Sequence, residues 1–224
     1  CFVFSNSAQA LLVRGSPNTT VANSTLSATG TNYALWTLGT QPGVRIYNNT
    51  LISRSRTGTL AYLTSSGTTL YWNNFTNTTG MYAQETASPN YYNGTTPFGT
   101  NEGNIWFNVQ NGTVTVTGSQ NSSGFSGLYA GSGGSYPYGI TTSKGKVSAT
   151  VVDYAPLTSQ TTNVQCGNYT TVNGVYTLGN NLSSAGSCIT VTGSGTRINC
   201  NGYTISGNRS YGSIGIKING AGNV

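Results

Sequence analysis

The stretch WTLGTQPGVRIYNNTLI, residues 36–52, indicates the fold, because a similar stretch lies on either side of it at a constant offset of 25 along the chain. These flanking copies are LLVRGSPNTTVANSTLS, residues 11–27, and AYLTSSGTTLYWNNFTN, residues 61–77. In each copy, two short runs alternate apolar and polar residues around a polar turn with Gly or Pro. Alternation with a period of two is typical of β-strands, and no helical period accompanies it. The repeat therefore predicts a succession of short strands joined by tight turns.

The repeat aligns residues of the same type in columns. Two columns are largely apolar and one is asparagine: Val13, Leu38 and Leu63; Val21, Ile46 and Tyr71; Asn23, Asn48 and Asn73. A unit of about 25 residues cannot bury its own apolar face, so it must stack on its neighbours. We therefore expect a solenoid with an apolar interior and an asparagine ladder that satisfies backbone groups at one corner. If Ile46 and Tyr71 point inward, alternation turns Tyr47 and Trp72 outward, stacked on one face.

A second repeat, near the C-terminus, has a different offset. ITVTGSGTRINC, residues 189–200, matches KINGAGNV, residues 217–224, at an offset of 27. When the match continues past Val224 to the start of the chain, residues 1–3 align with the strand predicted from RINC. The two chain ends are therefore expected to meet head to tail in adjacent copies, through a peptide bond or through stacking alone. The residues of this expected junction are Cys1, Phe2, Val3, Gly215, Ile216, Ile218 and Val224.

The two repeats divide the chain into three parts. Residues 1–95 and 164–224 are predicted to form β-helical coils, and the second group continues head to tail into residue 1 of the next copy. Residues 96–163 do not fit the grid of the first repeat. They contain strand-like runs around a loop rich in Gly, Ser and Tyr, residues 124–145, and are predicted to form an irregular β insertion or irregular coils.

Several stretches carry a family resemblance. YTLGNNLSSAGSCITVTGSGTRINCNGYTISG (residues 176–207), the C-terminal GIKINGAGNV and the coils with IYNNTL and LYWNNFTN resemble right-handed parallel β-helix surface proteins of the pectin-lyase-like and nitrous-oxide-accessory-like superfamily. The composition and residue pattern of these stretches are most similar to those of large exported archaeal proteins. The resemblance implies an all-β fold, a right-handed parallel β-helix with an irregular β insertion. In such proteins a run like residues 164–207 opens the β-helix and coils like residues 10–77 continue it, so the reversed order implies a cyclically cut repeat of a fibre.

The amino-acid composition argues against a nucleic-acid-binding protein and against a membrane-spanning protein. The 224 residues include three acidic residues, nine Lys or Arg and no His, with a formal net charge of +6. The basic residues are scattered and never cluster beyond a pair, so no nucleic-acid partner is expected. No run approaches the ~20 consecutive apolar residues of a transmembrane helix, so no membrane span is predicted.

The acidic residues argue against an enzyme. Glycoside hydrolysis requires a pair of carboxylates across the scissile bond, whereas Glu85, Glu102 and Asp153 lie in three different segments. Each is expected to be a solvated loop residue. The cysteines lack the paired CxxC spacing of a zinc site. We therefore expect no catalytic residue, no metal and no cofactor.

Four cysteines, an even number in a chain of export-like composition, indicate disulfide bonds. The spacing from Cys166 to Cys188 is nearly one coil, so stacking of coils could bring the two thiols within bonding reach. Cys200 and Cys1 of the following copy are expected on adjacent coils but diagonally, at roughly 7–8 Å between Cα atoms. A second bond there needs a change of register and would staple the junction covalently.

Glycosylation sequons, Asn-X-Ser/Thr, are the other candidates for covalent modification. The favoured sequons, which lie in predicted turns, are Asn18, Asn77, Asn93, Asn111, Asn121 and Asn208. Together with the expected disulfides, they favour an extracellular or cell-surface glycoprotein.

The leading hypothesis is a structural subunit or tandem repeat of an extracellular filament or cell-surface fibre, assembled head to tail by β-helix stacking. Its partner is another copy of itself, because the two chain ends match in register. The alternative is a surface adhesin or glycan-binding β-helix module, in which the outward Tyr47 and Trp72 contact glycans or other cell surfaces. A polysaccharide lyase or hydrolase is the third hypothesis.

Overall fold

The computed structural model describes residues 1–30, 32–40, 42–95, 101–160, 164–170, 175–178, 180–200, 202–207 and 213–219. Across these residues the chain is nearly all β, with short strands and one helix of four residues. The predicted all-β class is confirmed.

The strands and the helix fall into three parts of the chain. The first part contains β1 (Phe2–Ser5), β2 (Leu11–Arg14), β3 (Thr20–Ala22), β4 (Thr25–Ala28), β5 (Leu35–Leu38), β6 (Val44–Tyr47), β7 (Thr50–Ser53), β8 (Ala61–Thr64), β9 (Thr68–Tyr71), β10 (Asn74–Phe75), β11 (Ala83–Glu85) and β12 (Gly94–Thr95). The middle part contains β13 (Asn101–Glu102), β14 (Ile105–Trp106), α1 (Phe107–Gln110), β15 (Val116–Asn121), β16 (Tyr129–Gly134) and β17 (Leu157–Thr158). The last part contains β18 (Gly167–Tyr169), β19 (Val175–Thr177), β20 (Leu182–Ser184), β21 (Ile189–Val191), β22 (Arg197–Asn199), β23 (Ile205–Gly207) and β24 (Ile216–Ile218).

Strands from the first two parts of the chain form a solenoid with three faces, which we call the first solenoid. Face A consists of β1, β4, β7, β10, β14 and β17, face B of β2, β5, β8 and β11, and face C of β3, β6 and β9. Neighbouring strands within each of these faces pair in parallel. From β2 to β10 the chain visits faces B, C and A in rotation. The predicted parallel β-solenoid is therefore confirmed.

The offset between successive coils is not constant. Leu35 on face B pairs with Ala61, an offset of 26, whereas Ile46 on face C pairs with Leu70, an offset of 24. On face B the preceding step, from Leu11 to Leu35, has an offset of 24. The predicted constant offset of 25 is therefore wrong at these steps, and the predicted column of Val13, Leu38 and Leu63 does not form, because Val13 and Leu63 both pair with Thr37. Tyr71, the partner expected for Ile46, lies on the opposite side of its strand from the buried Leu70.

The length of one connection explains the changing offset. The connection from β5 to β6 comprises residues 39–43, and the equivalent one from β8 to β9 comprises residues 65–67, two residues fewer. Both flanking strands keep their apolar residues on the inner face, so the connection absorbs the difference in length. Leu63 and Leu70, on either side of the shorter connection, are accordingly both fully buried.

A ladder of buried asparagines follows the corner between faces C and A. The Asn49 side-chain amide donates a hydrogen bond to Asn73 Oδ1 at 3.1 Å, and the Asn73 amide donates one to Asn104 Oδ1 at 3.0 Å. The predicted ladder of Asn23, Asn48 and Asn73 is wrong, because the offset of 24 brings Asn73 next to Asn49. Asn23 and Asn48 form a separate, exposed pair, in which the Asn48 amide donates to Asn23 Oδ1 at 2.7 Å.

The interior of the first solenoid contains a stack of aromatic rings. The Phe75 and Trp106 rings are 4.3 Å apart between centroids, and the Trp106 and Tyr138 rings are 4.7 Å apart. Tyr82 and Tyr92 are also buried beside Trp106. Each aromatic pair contributes about 0.5–1.5 kcal/mol beyond the area that it buries. The stack therefore stabilises the last coils of this solenoid.

Residues 101–160 combine irregular coils with an antiparallel hairpin. β14 and β17 pair in parallel within face A, so this part of the chain continues the solenoid. β15 and β16 pair antiparallel with each other, and β16 also pairs antiparallel with β17. A shorter antiparallel pair, β12 with β13, precedes them. The β15–β16 hairpin thus forms the edge of the face A sheet opposite to β1.

The last part of the chain forms a second stack of coils, which we call the second solenoid. Its three faces are β18 with β21 and β24, β19 with β22, and β20 with β23, all paired in parallel. Ile189 pairs with Ile216 at the expected offset of 27, whereas Gly167 pairs with Ile189 at an offset of 22. Its core is separate from that of the first solenoid and contains Val164, Leu178, Leu182, Cys188, Ile189 and Val191.

Candidate functional site

The outermost strand of face A is apolar and exposed. Phe2 of β1 is 68% exposed and Phe4 is 38% exposed, with their ring centroids 6.5 Å apart. The guanidinium carbon of Arg54 lies 4.4 Å from the centre of the Phe4 ring. Among the described strands, β1 pairs only with β4. The other edge of β1 is therefore available to a further strand.

The outermost strand of the second solenoid has the same character. Ile218 of β24 is 55% exposed, and Ile216 and Ile214 are also exposed. Within the described part of the chain, β24 pairs only with β21. Gly215 belongs to this edge through its carbonyl, which accepts a hydrogen bond from the Ile189 N–H at 3.0 Å.

The remaining residues of the expected junction differ in exposure. Val3 is half-buried against the core of the first solenoid. Cys1 and Cys200 are both exposed with free thiols, so they are not bonded to each other within one copy. Val224 lies outside the described residues.

Each of the two edges can accept a further parallel strand. An exposed strand edge presents a row of backbone N–H and C=O groups that templates pairing with another chain. Burial of one large apolar side chain contributes about 1.5–3 kcal/mol, and β1 and β24 each expose two such side chains. Backbone hydrogen bonds and apolar burial therefore favour the same contact.

A disulfide joins adjacent coils of the second solenoid. Cys166 and Cys188 are bonded, with 4.3 Å between their Cα atoms. Cys166 directly precedes β18, and Cys188 directly precedes β21, the strand that pairs with β18. The sequence separation of 22 equals the local coil offset, which is why the two cysteines stack.

On the outer surface of face C, Tyr47 stacks on Tyr71. Their ring centroids are 5.1 Å apart and their planes differ by 12°. The predicted stacking of Tyr47 on Trp72 is wrong, because the offset of 24 brings Tyr71 next to Tyr47. Trp72 instead lies at the corner with a φ of 60°, and its ring meets Phe125 edge to face at 6.1 Å.

A second aromatic cluster, which the sequence reasoning missed, lies on the outer surface of face B. Tyr33 stacks on Tyr62 with 4.6 Å between centroids, and Trp36 lies 6.2 Å from Tyr62. The Trp36 indole donates a hydrogen bond to Thr64 Oγ1 at 3.2 Å. The alternation of the strands contained this signal, since Trp36 and Tyr62 each lie between two buried residues.

All three acidic side chains are buried, so the expectation that they are solvated is wrong. A buried carboxylate is tolerated when donors surround it, and in this chain the donors come from turns and from tryptophan. Glu102 accepts hydrogen bonds from the Ser123 N–H at 2.7 Å, the Trp72 indole at 2.8 Å and the Ser122 hydroxyl. Burial raises the pKa of Glu102, but these hydrogen bonds outweigh burial and hold the pKa below its usual value.

Asp153 is fully buried between the irregular coils. Its Oδ2 accepts hydrogen bonds from the Asn104 N–H at 2.8 Å and the Trp106 indole at 2.9 Å, and its Oδ1 accepts one from the Ala155 N–H at 2.9 Å. Loss of hydration is the largest effect and raises the pKa of Asp153 to about 7, although these donors act in the opposite direction. The carboxyl group therefore changes charge near neutral pH.

Glu85 lies in a third, separate site. Its Oε2 accepts hydrogen bonds from the Tyr92 hydroxyl at 2.9 Å and the Asn90 amide at 3.2 Å. Burial, followed by the charge of Glu85, raises the pKa of Tyr92 well above its usual value. The three carboxylates thus each organise a different turn of the solenoid.

Two further features bear on binding. Within the described part of the chain, His, Cys, Asp and Glu side chains do not gather in groups of three that could hold a metal ion. None of the described helices is long and apolar enough to cross a membrane.

The favoured sequons differ in accessibility. Asn93 is half-buried and Asn208 lies outside the described residues, whereas the exposed sites are Asn18, Asn77, Asn111 and Asn121. Asn111 Oδ1 accepts a hydrogen bond from the Thr113 N–H at 2.9 Å, so its sequon forms a tight local turn.

The fold defines the chain as a parallel β-solenoid protein. No family model, curated protein or solved structure matches it. The features of the solenoid that bear on function are its two exposed edge strands and its outer aromatic clusters.

Proposed function

We propose that this protein is a structural subunit, or one tandem repeat, of an extracellular filament or cell-surface fibre that assembles head to tail by stacking of solenoid coils. The observation that carries the proposal is the pair of exposed, apolar edge strands, β1 and β24, at outermost positions of their sheets. A further coil on each edge would complete its backbone pairing and cover its apolar side chains.

Contact between these two edges produces a fibre. The edge at β1 and the edge at β24 are different surfaces, so assembly through them is heterologous and propagates as an open filament when its rotation does not close a ring. The sequence match that continues from Val224 into residues 1–3 supplies a register for this assembly, in which β1 of one copy pairs with β22 of the other and continues the coil that β24 begins. In that register the exposed thiols of Cys1 and Cys200 lie diagonally on adjacent coils, so a disulfide between two copies needs a change of register.

Other features support an extracellular location. The Cys166–Cys188 disulfide suits an oxidising compartment, because disulfides persist there. Exposed sequons such as Asn18 and Asn77 are accessible to glycosylation. With 5% charged residues, the chain depends on stacking and covalent links rather than on ion-pair networks.

Electron microscopy and sedimentation of the purified chain test the proposal. Wild-type protein is expected to form filaments, and Phe2→Asp or Ile218→Lys to abolish them, because each places a charge where the contact excludes water. Ile140→Lys is the matched control, since Ile140 is 45% exposed but belongs to neither edge strand. It is expected to leave the filaments intact.

Two outcomes would overturn the proposal: wild-type protein that stays monomeric, or filaments that persist in both edge variants. The mass of the reduced, denatured polypeptide separates the two forms of assembly. A mass near 23.3 kDa plus sugar indicates separate subunits, and a much larger mass indicates tandem repeats in one chain.

A second candidate function, a surface adhesin or glycan-binding module, is favoured by the outer aromatic stacks. Tyr47 with Tyr71 on face C, and Tyr33 with Tyr62 on face B, present aromatic rings on the outside of the solenoid. Such rings offer apolar area with a polar hydroxyl and suit sugar surfaces. Binding to a glycan array that is lost in Tyr47→Ala would support this function, and binding unchanged by that substitution would reject it for this surface.

A further inference from the structure

A cleft of about 210 Å³ lies beside the β15–β16 hairpin, where β15 packs against β19 of the second solenoid. Its walls come from segments that are far apart in the sequence. The side chains that matter for binding are Asn101, Gln120, Ser132, Tyr136, Tyr154 and Tyr176. The cleft therefore exists only when the hairpin and the second solenoid are both folded and in contact.

Three tyrosines supply the apolar part of the cleft. Tyr154 is 57% exposed and Tyr136 is 37% exposed, so both present ring surface to a ligand. Tyr176 is half-buried and packs edge to face against Tyr169, with 4.5 Å between centroids. This contact restrains the Tyr176 ring before a ligand binds, and such restraint lowers the entropic cost of binding.

The polar part of the cleft is neutral. Asn101 and Gln120 offer both amide donors and carbonyl acceptors, and Ser132 offers a hydroxyl. None of the described lining residues is Lys, Arg, Asp or Glu. A charged ligand would lose hydration there without gaining a counter-charge, whereas a ligand with several hydroxyl groups would find donors and acceptors.

The size of the cleft suits one small ring. Its volume of about 210 Å³ is smaller than the ~300–1,000 Å³ of sites for drug-sized ligands. We propose that the cleft binds one neutral hexopyranose unit of a glycan, with its hydroxyls on Asn101, Gln120 and Ser132 and a C–H face against Tyr154. This site depends neither on filament assembly nor on the aromatic stacks of faces B and C.

Ligand-observed NMR on the full chain tests the proposal, with the methyl glycosides of glucose, mannose, galactose and N-acetylglucosamine as probes. At least one is expected to bind with a Kd of about 1–10 mM, as suits so small a ligand. Tyr154→Ala is expected to weaken binding by about five-fold through loss of the ring contact. Tyr91→Ala is the matched control, because Tyr91 is 53% exposed and lies outside the cleft. It is expected to leave the Kd unchanged.

Three results would overturn the proposal: none of the four glycosides binds, Tyr154→Ala and Tyr91→Ala bind equally well, or galacturonate binds as tightly as the best of the four neutral glycosides. Circular dichroism verifies that each variant is folded. If Tyr154→Ala does not fold, Gln120→Ala takes its place, and it is expected to weaken binding through loss of the amide hydrogen bonds.

Two sources can supply such a sugar unit, the N-glycan of a neighbouring copy and a free polysaccharide. Enzymatic removal of N-glycans distinguishes them. If a neighbour's glycan occupies the cleft, its removal strengthens binding of the free glycoside, and if a polysaccharide is the ligand, binding is unchanged. In both cases Tyr154→Ala weakens binding.

Discussion

The indole N–H of Trp106 donates a hydrogen bond to Asp153 Oδ2 at 2.9 Å, and both side chains are fully buried. The same carboxylate accepts hydrogen bonds from the backbone of Asn104 and Ala155. It thereby ties β14, at one end of the irregular region, to the segment that leads into β17 at the other. One acidic group thus links backbone segments near both ends of residues 101–160.

Stability is expected to decrease between about pH 5 and pH 8. Asp153 has a pKa of about 7 in the folded protein, against an ordinary value of 3.8. The folded state thus retains a proton that the unfolded chain has released, and this contribution is complete below the unfolded value and is lost as pH rises through 7. The free energy of unfolding, measured by chemical denaturation, is expected to fall by about 2–3 kcal/mol over this interval.

Asp153→Asn provides the control for the pH effect. The variant is expected to be less stable than wild type at acidic pH, because its amide N–H₂ faces donors, and to lose the dependence on pH. Glu102 acts in a separate range: its pKa is lowered, so its contribution is present above the ordinary value of 4.5 and is lost on further acidification. The chain has no His, so no imidazole group contributes to the change in stability between pH 5 and pH 8. A wild-type stability that is flat between pH 5 and 8 would contradict the raised pKa of Asp153.

Gly103→Ala is expected to destabilise the irregular coils. A Cβ at Gly103 would overlap the Asp153 carboxylate, which could move aside only by giving up its hydrogen bonds. The expected cost is about 1–3 kcal/mol, seen as a lower Tm. In Gly186→Ala the added methyl group meets no neighbouring atom, so that variant should melt with wild type. Equal melting of the two variants would show that the carboxylate site is adaptable.

Asn73→Ala is expected to cost about 2–4 kcal/mol, because it removes several buried hydrogen bonds at once and leaves their partners unsatisfied. One lost partner is the Ile46 carbonyl, to which the Asn73 amide donates at 2.8 Å. Asn48→Gly tests the exposed corner instead. Asn48 has a φ of 53°, which Gly adopts without strain, so this variant should unfold within about 0.5 kcal/mol of wild type. The reverse order of stabilities would contradict the assignment of the ladder.

Loss of the disulfide is expected to loosen the second solenoid alone. Its two cysteines have a sequence separation of 22, and the paired substitution Cys166→Ser with Cys188→Ser should cost about 3 kcal/mol. Because the two solenoids have separate cores, amide hydrogen exchange is expected to accelerate in β18–β24 while β4–β10 stay protected. Cys200→Ser removes an exposed free thiol and should change neither region. Uniform acceleration in both solenoids would show that they unfold as one unit.

Alternation within residues 36–52 was sufficient to predict strands that stack in parallel, because a short strand with one apolar face has few other ways to bury it. The same pattern could not place Tyr71, since its register depends on a shorter connection just before its strand. The burial of Asp153 could not be predicted from the sequence either, because its partner Asn104 lies in a distant segment, at a sequence separation of 49. Periodicity reports which side of a strand is apolar, and it carries no information on contacts between distant turns.

The unequal connections of the first solenoid make one corner suitable for the insertion of foreign peptides. Residues 39–43 and 65–67 differ in length while the strands that flank them keep their faces. Foreign peptides placed in these two connections would be held on successive coils, ~4.8 Å apart along the axis. Pairs of epitopes or catalytic groups can therefore be displayed on such a molecule at the distance between two neighbouring β-strands.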